Sequence, residues 1–223
     1  MICLFDIDGT ILNSGGAGQH AMEQALLEVF GVTGPYHDIK AAGRTDKAIT
    51  SDLFAHHKLD NGAETHQKFM EAYLRILPTS LETQDGRVLP GIVEILNELS
   101  SREIPLGLLT GNFEVAAYQK LNHFKLRHHF AFGGYGDHHH DRDDVARVAY
   151  KASVAHLKRE VAPETVWVLG DTPDDVKCGR AIGAKVIAVA TGMFSADVLE
   201  ECQPDHLFED FGDLDKVLST LLN

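Results

Sequence analysis

Apolar positions along this chain follow two periods, and the points where one gives way to the other divide it. Ile2 to Phe5 form a short unbroken apolar run, the pattern of a strand buried on both faces of a parallel sheet. After the glycine-rich stretch at 15–18, Ala21, Leu26, Leu27 and Phe30 recur at helical spacing and predict a helix that ends near Phe30. Two more helices are expected at 45–57 and 63–77, joined by the turn-like Asp60-Asn61-Gly62. No strand pattern is visible between Leu12 and Val88. From Leu89-Pro90-Gly91 onward, strand and helix alternate: helix 92–101, strand 105–109, helix 114–124, strand 130–132 and helix 143–158. Strand 166–169, helix 174–182, strand 185–190, helix 196–202, strand 206–208 and a terminal helix complete the series. Such alternation implies right-handed βαβ units and a parallel sheet. The expected fold is therefore α/β, a Rossmann-like parallel sheet built from 1–14 and 86–223, with an all-helical insertion at 15–85.

Composition narrows the partners. The 223 residues, 44% of them hydrophobic, suffice for a sizeable core plus a smaller insertion. A formal net charge of −13 argues against nucleic acid or an anionic membrane as partner. An anionic substrate must then be drawn in locally, by a metal or a few basic groups. Cys3, Cys178 and Cys202 are odd in number and widely spaced, which suits reduced thiols in a cytoplasmic protein. The apolar run after Met1 is too short for a signal peptide, and no run is long enough for a membrane-spanning helix.

The chemistry gathers at predicted strand ends. Asp6 and Asp8 follow the first strand, separated by one apolar residue, so in extended backbone both leave on the same side. Gly9 turns the chain and Thr10 adds a hydroxyl. Like charges this close call for a cation or a shared proton. With Mg²⁺ bound, one carboxylate can serve as nucleophile while the other moves protons; alternatively the pair merely caps a turn. Thr110-Gly111-Asn112 places a hydroxyl and free N–H groups before a helix, a seat for phosphate, or else an N-cap. Asp171, after the strand at 166–169, is the natural further oxygen ligand for a metal held by Asp6, and could also be a cap.

Together, Asp6-Ile7-Asp8-Gly9-Thr10, Leu109-Thr110-Gly111-Asn112 and Gly170-Asp171-Thr172-Pro173-Asp174-Asp175 resemble the motifs of the haloacid dehalogenase superfamily, in its phosphoglycolate phosphatase-like branch with a helical cap. The resemblance spans nearly the whole chain. It implies a Mg²⁺-dependent hydrolase of a small, phosphoglycolate-like phosphomonoester. Asp6 would become an aspartyl-phosphate, and Asp8 would protonate the leaving alkoxide and later activate water. Thr110, with Gly111 and Asn112, would bind the phosphoryl group. The metal would be held by Asp6, the Asp8 carbonyl and Asp171, with Asp175 supporting. Rival readings are a phosphomutase of the same superfamily and a non-catalytic phospho-acceptor of the receiver kind.

One departure from that pattern stands out. The superfamily usually has a Lys followed by Pro before the long helix, and no Lys-Pro occurs here. Arg142, at the expected helix start, is the substitute, since its guanidinium can bind phosphate with two donors; Arg147 and Lys151 lie deeper in that helix. In the insertion, Arg44 suits either a substrate anion or a surface ion pair, and His20 suits packing along the cap. His138-His139-His140 is expected to be a solvated loop.

Overall fold

A computed structural model describes residues 1–33 and 39–222. In chain order its elements are β1 (Ile2–Phe5), β2 (Leu12–Asn13), α1 (Ala17–Phe30), α2 (Asp46–His56), α3 (Ala63–Thr83), β3 (Arg87–Val88), α4 (Ile92–Ser101), β4 (Leu106–Leu109) and α5 (Glu114–His123). There follow β5 (Phe132–Gly134), α6 (Arg142–Leu157), β6 (Val166–Gly170), α7 (Pro173–Ala181), β7 (Lys185–Val189), α8 (Ala196–Glu201), β8 (His206–Phe208) and α9 (Leu214–Leu222). Six strands form a parallel sheet in the order β5-β4-β1-β6-β7-β8.

The unbroken apolar run of β1 has a direct cause. Cys3 and Phe5 point into a core with Ile92, Ile95, Leu96 and Leu99 of α4, Leu121 of α5, and Val217 and Leu221 of α9. Ile2 and Leu4 point the other way, toward Val145, Ala146 and Ala149 of α6, Val176 of α7 and Leu199 of α8. A two-residue period with both faces covered leaves no polar position in the strand. β1 lies between β4 and β6, so the chain builds the sheet outward in one direction through β4 and β5, then returns to build it in the other. That reversal puts a crevice at the carboxyl end of β1, where ligands bind in open α/β sheets.

Three local expectations need correction. The strand expected at 130–132 lies at Phe132–Gly134. Its two glycines hide it from a pattern reading, and packing requires the second: a Cβ on Gly134 would stand 2.5 Å from the Val145 carbonyl oxygen and 2.7 Å from the Ala149 nitrogen of α6. Strands also flank the insertion, where none was visible. Leu12 and Asn13 pair antiparallel with Val88 and Arg87. Two residues are too few to display a period. Beside this ribbon, Gly15 (φ 64°) passes so close to the Asp85 backbone that a Cβ would meet its carbonyl carbon at 2.7 Å. The third correction concerns α3, which runs to Thr83 instead of stopping at 77, with Pro78 inside it.

Of the expected 15–85 insertion, residues 34–38 lie outside the described part. Its helices share a core of their own, with Ala25 and Leu26 of α1, Leu53 and Phe54 of α2, and Phe69, Tyr73 and Leu77 of α3. Phe113 and Ala116, where α5 begins, belong to the same cluster, so α5 is the seam between this layer and the sheet. The seam also explains Pro78. Proline has no N–H for the carbonyl one turn back, which belongs to Leu74. Gln119 of α5 supplies the missing donor, its Nε2 lying 2.9 Å from the Leu74 oxygen.

Gln119→Ala should therefore cost about 1 kcal/mol of stability by stranding that carbonyl. In a Pro78→Ala background, where residue 78 regains its N–H, the cost should shrink toward zero. A double-mutant cycle by urea denaturation measures the coupling; equal costs in both backgrounds would show that the Gln119 bond is not the proline's compensation.

Candidate active site

The loop after β1 is tied tightly. The Ile7 carbonyl accepts from the N–H groups of Ile11 (2.9 Å) and Leu12 (3.0 Å), and Gly9 N–H donates to Leu12 (2.8 Å). Asp6 N–H still donates to Leu169 of β6 (2.9 Å), so Asp6 continues the sheet edge while the chain turns above it. Gly9, at φ 87°, lies against Asp171, whose Oδ2 is 2.2 Å from where a Cβ would stand; Gly192 faces the same carboxylate at 1.7 Å. Any side chain at either position would push Asp171 out of the crevice.

Asp6, Asp171 and Asp175 are all buried and converge so that one carboxylate oxygen from each lies within 4.8 Å of the others. Asp175 sits in the first turn of α7, where its Oδ2 accepts from the Thr172 N–H (3.1 Å) and hydroxyl (2.7 Å) in a reciprocal cap. Its other oxygen meets the Arg142 guanidinium. Arg142, itself 5% exposed, also donates both terminal nitrogens to Asp6 Oδ1 at 3.3 Å and one to the Leu109 carbonyl at 3.2 Å. Asp171 takes a 3.2 Å bond from the Thr10 hydroxyl.

Burial drives the Asp6 carboxyl well above its usual range; Arg142 opposes the shift, while Asp175 and Asp8 add to it. Burial raises Asp171 likewise, and the charges of Asp175 and Asp6 raise it further. Arg142 stays charged in spite of its burial because Asp175 and Asp6 face it. Three carboxylates around one guanidinium leave an excess of negative charge in a dry place. That excess, on an all-oxygen donor set, fits a hard divalent cation such as Mg²⁺.

Asp8 turns elsewhere. Its Oδ2 accepts from Lys120 Nζ (2.5 Å) and Asn112 Nδ2 (2.9 Å), and Lys120 Nζ also reaches Asn112 Oδ1 (2.6 Å). Burial would raise the Asp8 carboxyl, but the Lys120 charge and these bonds outweigh it and lower the pKa. Asp6, Asp8, Asn112, Lys120, Arg142 and Asp171 line one cavity of about 380 Å³, closed on the other side by Gln19, Met22 and Glu23 of α1, Arg44, Ile49 and Leu53 of the α2 region, and Tyr73 of α3.

These features sit in a recognisable frame. A family model described as haloacid dehalogenase-like hydrolase matches residues 3–189. The chain belongs to that family. A phosphoglycolate phosphatase from Photorhabdus laumondii is 24% identical over 97% of this chain and 90% of its own length. A putative pyrophosphatase, PpaX, from Caldanaerobacter subterraneus is 22% identical over 96% and 93%. Among solved structures, CbbY from Rhodobacter sphaeroides in complex with phosphate superposes with a TM-score of 0.77 at 19% identity, over 96% of both chains. A predicted phosphoglycolate phosphatase from Haemophilus somnus gives 0.73 at 17% identity, over 97% of both. As a haloacid dehalogenase-like protein the chain is a hydrolase, and these likenesses at low identity bear on its fold.

Against that frame, the positions singled out from sequence separate into two groups. Asp6, Asp171, Asp175 and Arg142 come together, whereas Arg147 pairs with Asp144 at the surface and Lys151 is exposed. Thr110 is fully buried, and its hydroxyl accepts from Asn112 N–H (3.3 Å) and Nδ2 (2.9 Å); Gly111 and Asn112, not Thr110, line the cavity. Arg44 faces the cavity but is paired with Asp52 at 2.6 Å. His20 bonds Ser80 at 2.9 Å within the helical layer and does not line the cavity. The backbone of the histidine run receives Lys47 (3.0 Å) and Thr45 (3.4 Å).

Two residues escaped the sequence reading. Lys120 looked like an ordinary helix lysine, yet it shares the apolar face of α5 with Ala116 and Ala117, a placement that could have exposed it. Asp46, at the start of α2, accepts from Phe113 N–H (2.8 Å), while its own N–H donates to Gly111 (2.7 Å). It thereby docks the helical layer on the loop after β4.

Burial lifts the Asp46 carboxyl to about 6; Lys120 and the Phe113 N–H pull the other way, and Asp8 and Asp137 add to the rise. Because the folded-state value lies above the unfolded one, this group favours folding at low pH and loses that contribution as pH climbs from about 4 through about 6. Asp46→Asn keeps an acceptor for Phe113 N–H without the charge. Its stability relative to the parent should improve by about 1–3 kcal/mol between about pH 4 and pH 7.5. Urea midpoints at both pH values test this, and a constant difference would contradict it.

Proposed function

We propose that the protein is a Mg²⁺-dependent phosphatase of a small phosphomonoester, phosphoglycolate-like in size, working through an aspartyl-phosphate on Asp6. The observation that carries the reading is the burial of Asp6 beside Arg142, Asp171 and Asp175, with Asp8 at the same cavity but outside their cluster. In this reading Asp6 Oδ attacks phosphorus, the bond to the leaving oxygen breaks, and Asp8 delivers a proton to that oxygen. Water then attacks the phosphorus of the aspartyl-phosphate, Asp8 takes a proton from it, and phosphate leaves with Asp6 restored. Mg²⁺, held by Asp6, the Asp8 carbonyl and Asp171 and oriented by Asp175, would supply positive charge at the phosphoryl oxygens. Arg142 holds Asp6 in line and adds a fixed positive charge. Gly111 and Asn112 would border the phosphoryl group, with Thr110 holding the Asn112 amide from behind. Arg44 would meet the remote end of the substrate on release from Asp52.

The boundaries that suit this reading are a core of 1–14 and 86–223 and a helical cap of 15–85, with the cap parting from the core to admit substrate. The free thiols of Cys3, Cys178 and Cys202 fit a cytoplasmic setting. No described helix is long and apolar enough to cross a membrane.

Asp6→Asn should lower phosphatase activity on the order of 10³-fold or more, since an amide forms no acyl-phosphate; chelation of Mg²⁺ should silence the parent enzyme and re-addition restore it. Near-normal turnover by the purified variant would refute the covalent route. The place of the missing superfamily lysine is tested separately. Arg142→Ala should lose ~10²-fold or more in kcat/KM, Arg142→Lys should stay partly active, and Lys151→Ala should be nearly unaffected. A crippled Lys151→Ala beside a healthy Arg142→Ala would reverse the assignment.

A further inference from the structure

Among the described residues, Lys120 is the one cation lining the cavity to which the proposed chemistry gives no part. It is 5% exposed, although an ammonium is strongly hydrated and is rarely buried without partners. Its partners are specific: Asp8 Oδ2 at 2.5 Å and Asn112 Oδ1 at 2.6 Å, while Asn112 Nδ2 closes the triangle on the same Asp8 oxygen at 2.9 Å. Asn112 is fixed in turn by the Thr110 hydroxyl at 2.9 Å. The amine is roofed by the helical layer: a Cβ added at Gly18 of α1 would stand 3.6 Å from Nζ and 4.0 Å from the Tyr73 hydroxyl. A surface lysine would have none of this.

The geometry points to Lys120 as a positioning residue for Asp8. Resting on the phosphatase reading, we propose that it clamps one oxygen of Asp8, with Asn112, so that the carboxyl group is held where the leaving oxygen departs. Asp8 is otherwise a partly exposed side chain (38%) at the cavity wall, with only the uncharged donors of Asn112 and Ser14 beside it. Arg142 does not duplicate this role, because its donors go to Asp6, Asp175 and the Leu109 carbonyl. Among the described residues the two buried cations thus go to different carboxylates, Arg142 to Asp6 and Asp175, and Lys120 to Asp8. The clamp ties α5 to the loops that follow β1 and β4, beneath the helical layer.

The role separates from a merely structural one, and from substrate anchoring, by choice of leaving group. kcat/KM reports the steps up to and including phosphoryl transfer to Asp6. An alkyl phosphate needs a proton on its departing oxygen, whereas p-nitrophenolate leaves without one. Lys120→Met should therefore lower kcat/KM on an alkyl phosphate by about 10²-fold and on p-nitrophenyl phosphate by no more than about threefold, with Lys120→Arg recovering part of the loss. Equal losses on both substrates would overturn the proposal, as would a loss carried by KM alone. Turnover of the two esters by the parent enzyme tests the phosphatase reading by itself. A readout independent of activity is the crystal structure of Lys120→Met. The Asp8 carboxylate should leave its bond with Asn112; finding it unmoved would overturn the clamp even if the protein hydrolysed neither ester.

Discussion

Three carboxylates buried together beside one guanidinium, at the carboxyl end of a parallel sheet, are an electrostatic problem before they are a candidate active site. Desolvated like charges raise each other's cost of ionisation, and Arg142 offsets only part of it. The surrounding structure holds the group together: Gly9 and Gly192 leave room for Asp171, the capping box of α7 fixes Asp175, and the Leu109 carbonyl seats the guanidinium. Their effect is that the carboxylates cannot swing into water, so the remaining relief is a bound cation or a proton.

The sheet makes this confinement possible. β1 is apolar on both faces because helices cover both, and its chemistry can begin only where the strand ends. The helical layer completes the enclosure through α5, whose first turn receives Asp46 and whose next turn carries Gln119 toward Pro78 and Lys120 toward Asp8. Adjacent residues of one helix thus serve a backbone repair in the cap and a charge in the cavity.

Much of this was legible in the sequence, for reasons that can be stated. Unbroken apolar strands alternating with amphipathic helices announced the parallel sheet, and the acids after 2–5 and 166–169 fell where such sheets gather ligands. Arg142 could be named because it opens a helix after a strand. What stayed hidden depends on contacts between distant segments. Lys120 is separated from Asp8 by 112 positions, and nothing local distinguishes it from a solvated lysine except its apolar neighbours. Phe132–Gly134 is a strand by virtue of β4 and α6, its glycines being needed for close approach and contrary to strand propensity. The helix expected to stop at 77 runs on through Pro78 because a compensating donor, Gln119, lies 41 residues away.

The narrow ribbon of β2 and β3 has a consequence for how the layers are joined. The chain leaves the sheet-bearing part at Asn13 and returns at Arg87, and those two residues are paired neighbours. The entire helical insertion is thus a closed loop with coincident ends, and its closure entropy is already spent in two ribbon pairs and the contact of Gly15 with Asp85. Topologically the insertion could be excised and the ribbon bridged by a short turn without rethreading any strand of the sheet. A neck of two adjacent strands also resists translation and shear far more than bending. The parting of cap from core proposed above would then run as something near a single rotation, like a page turning on its binding.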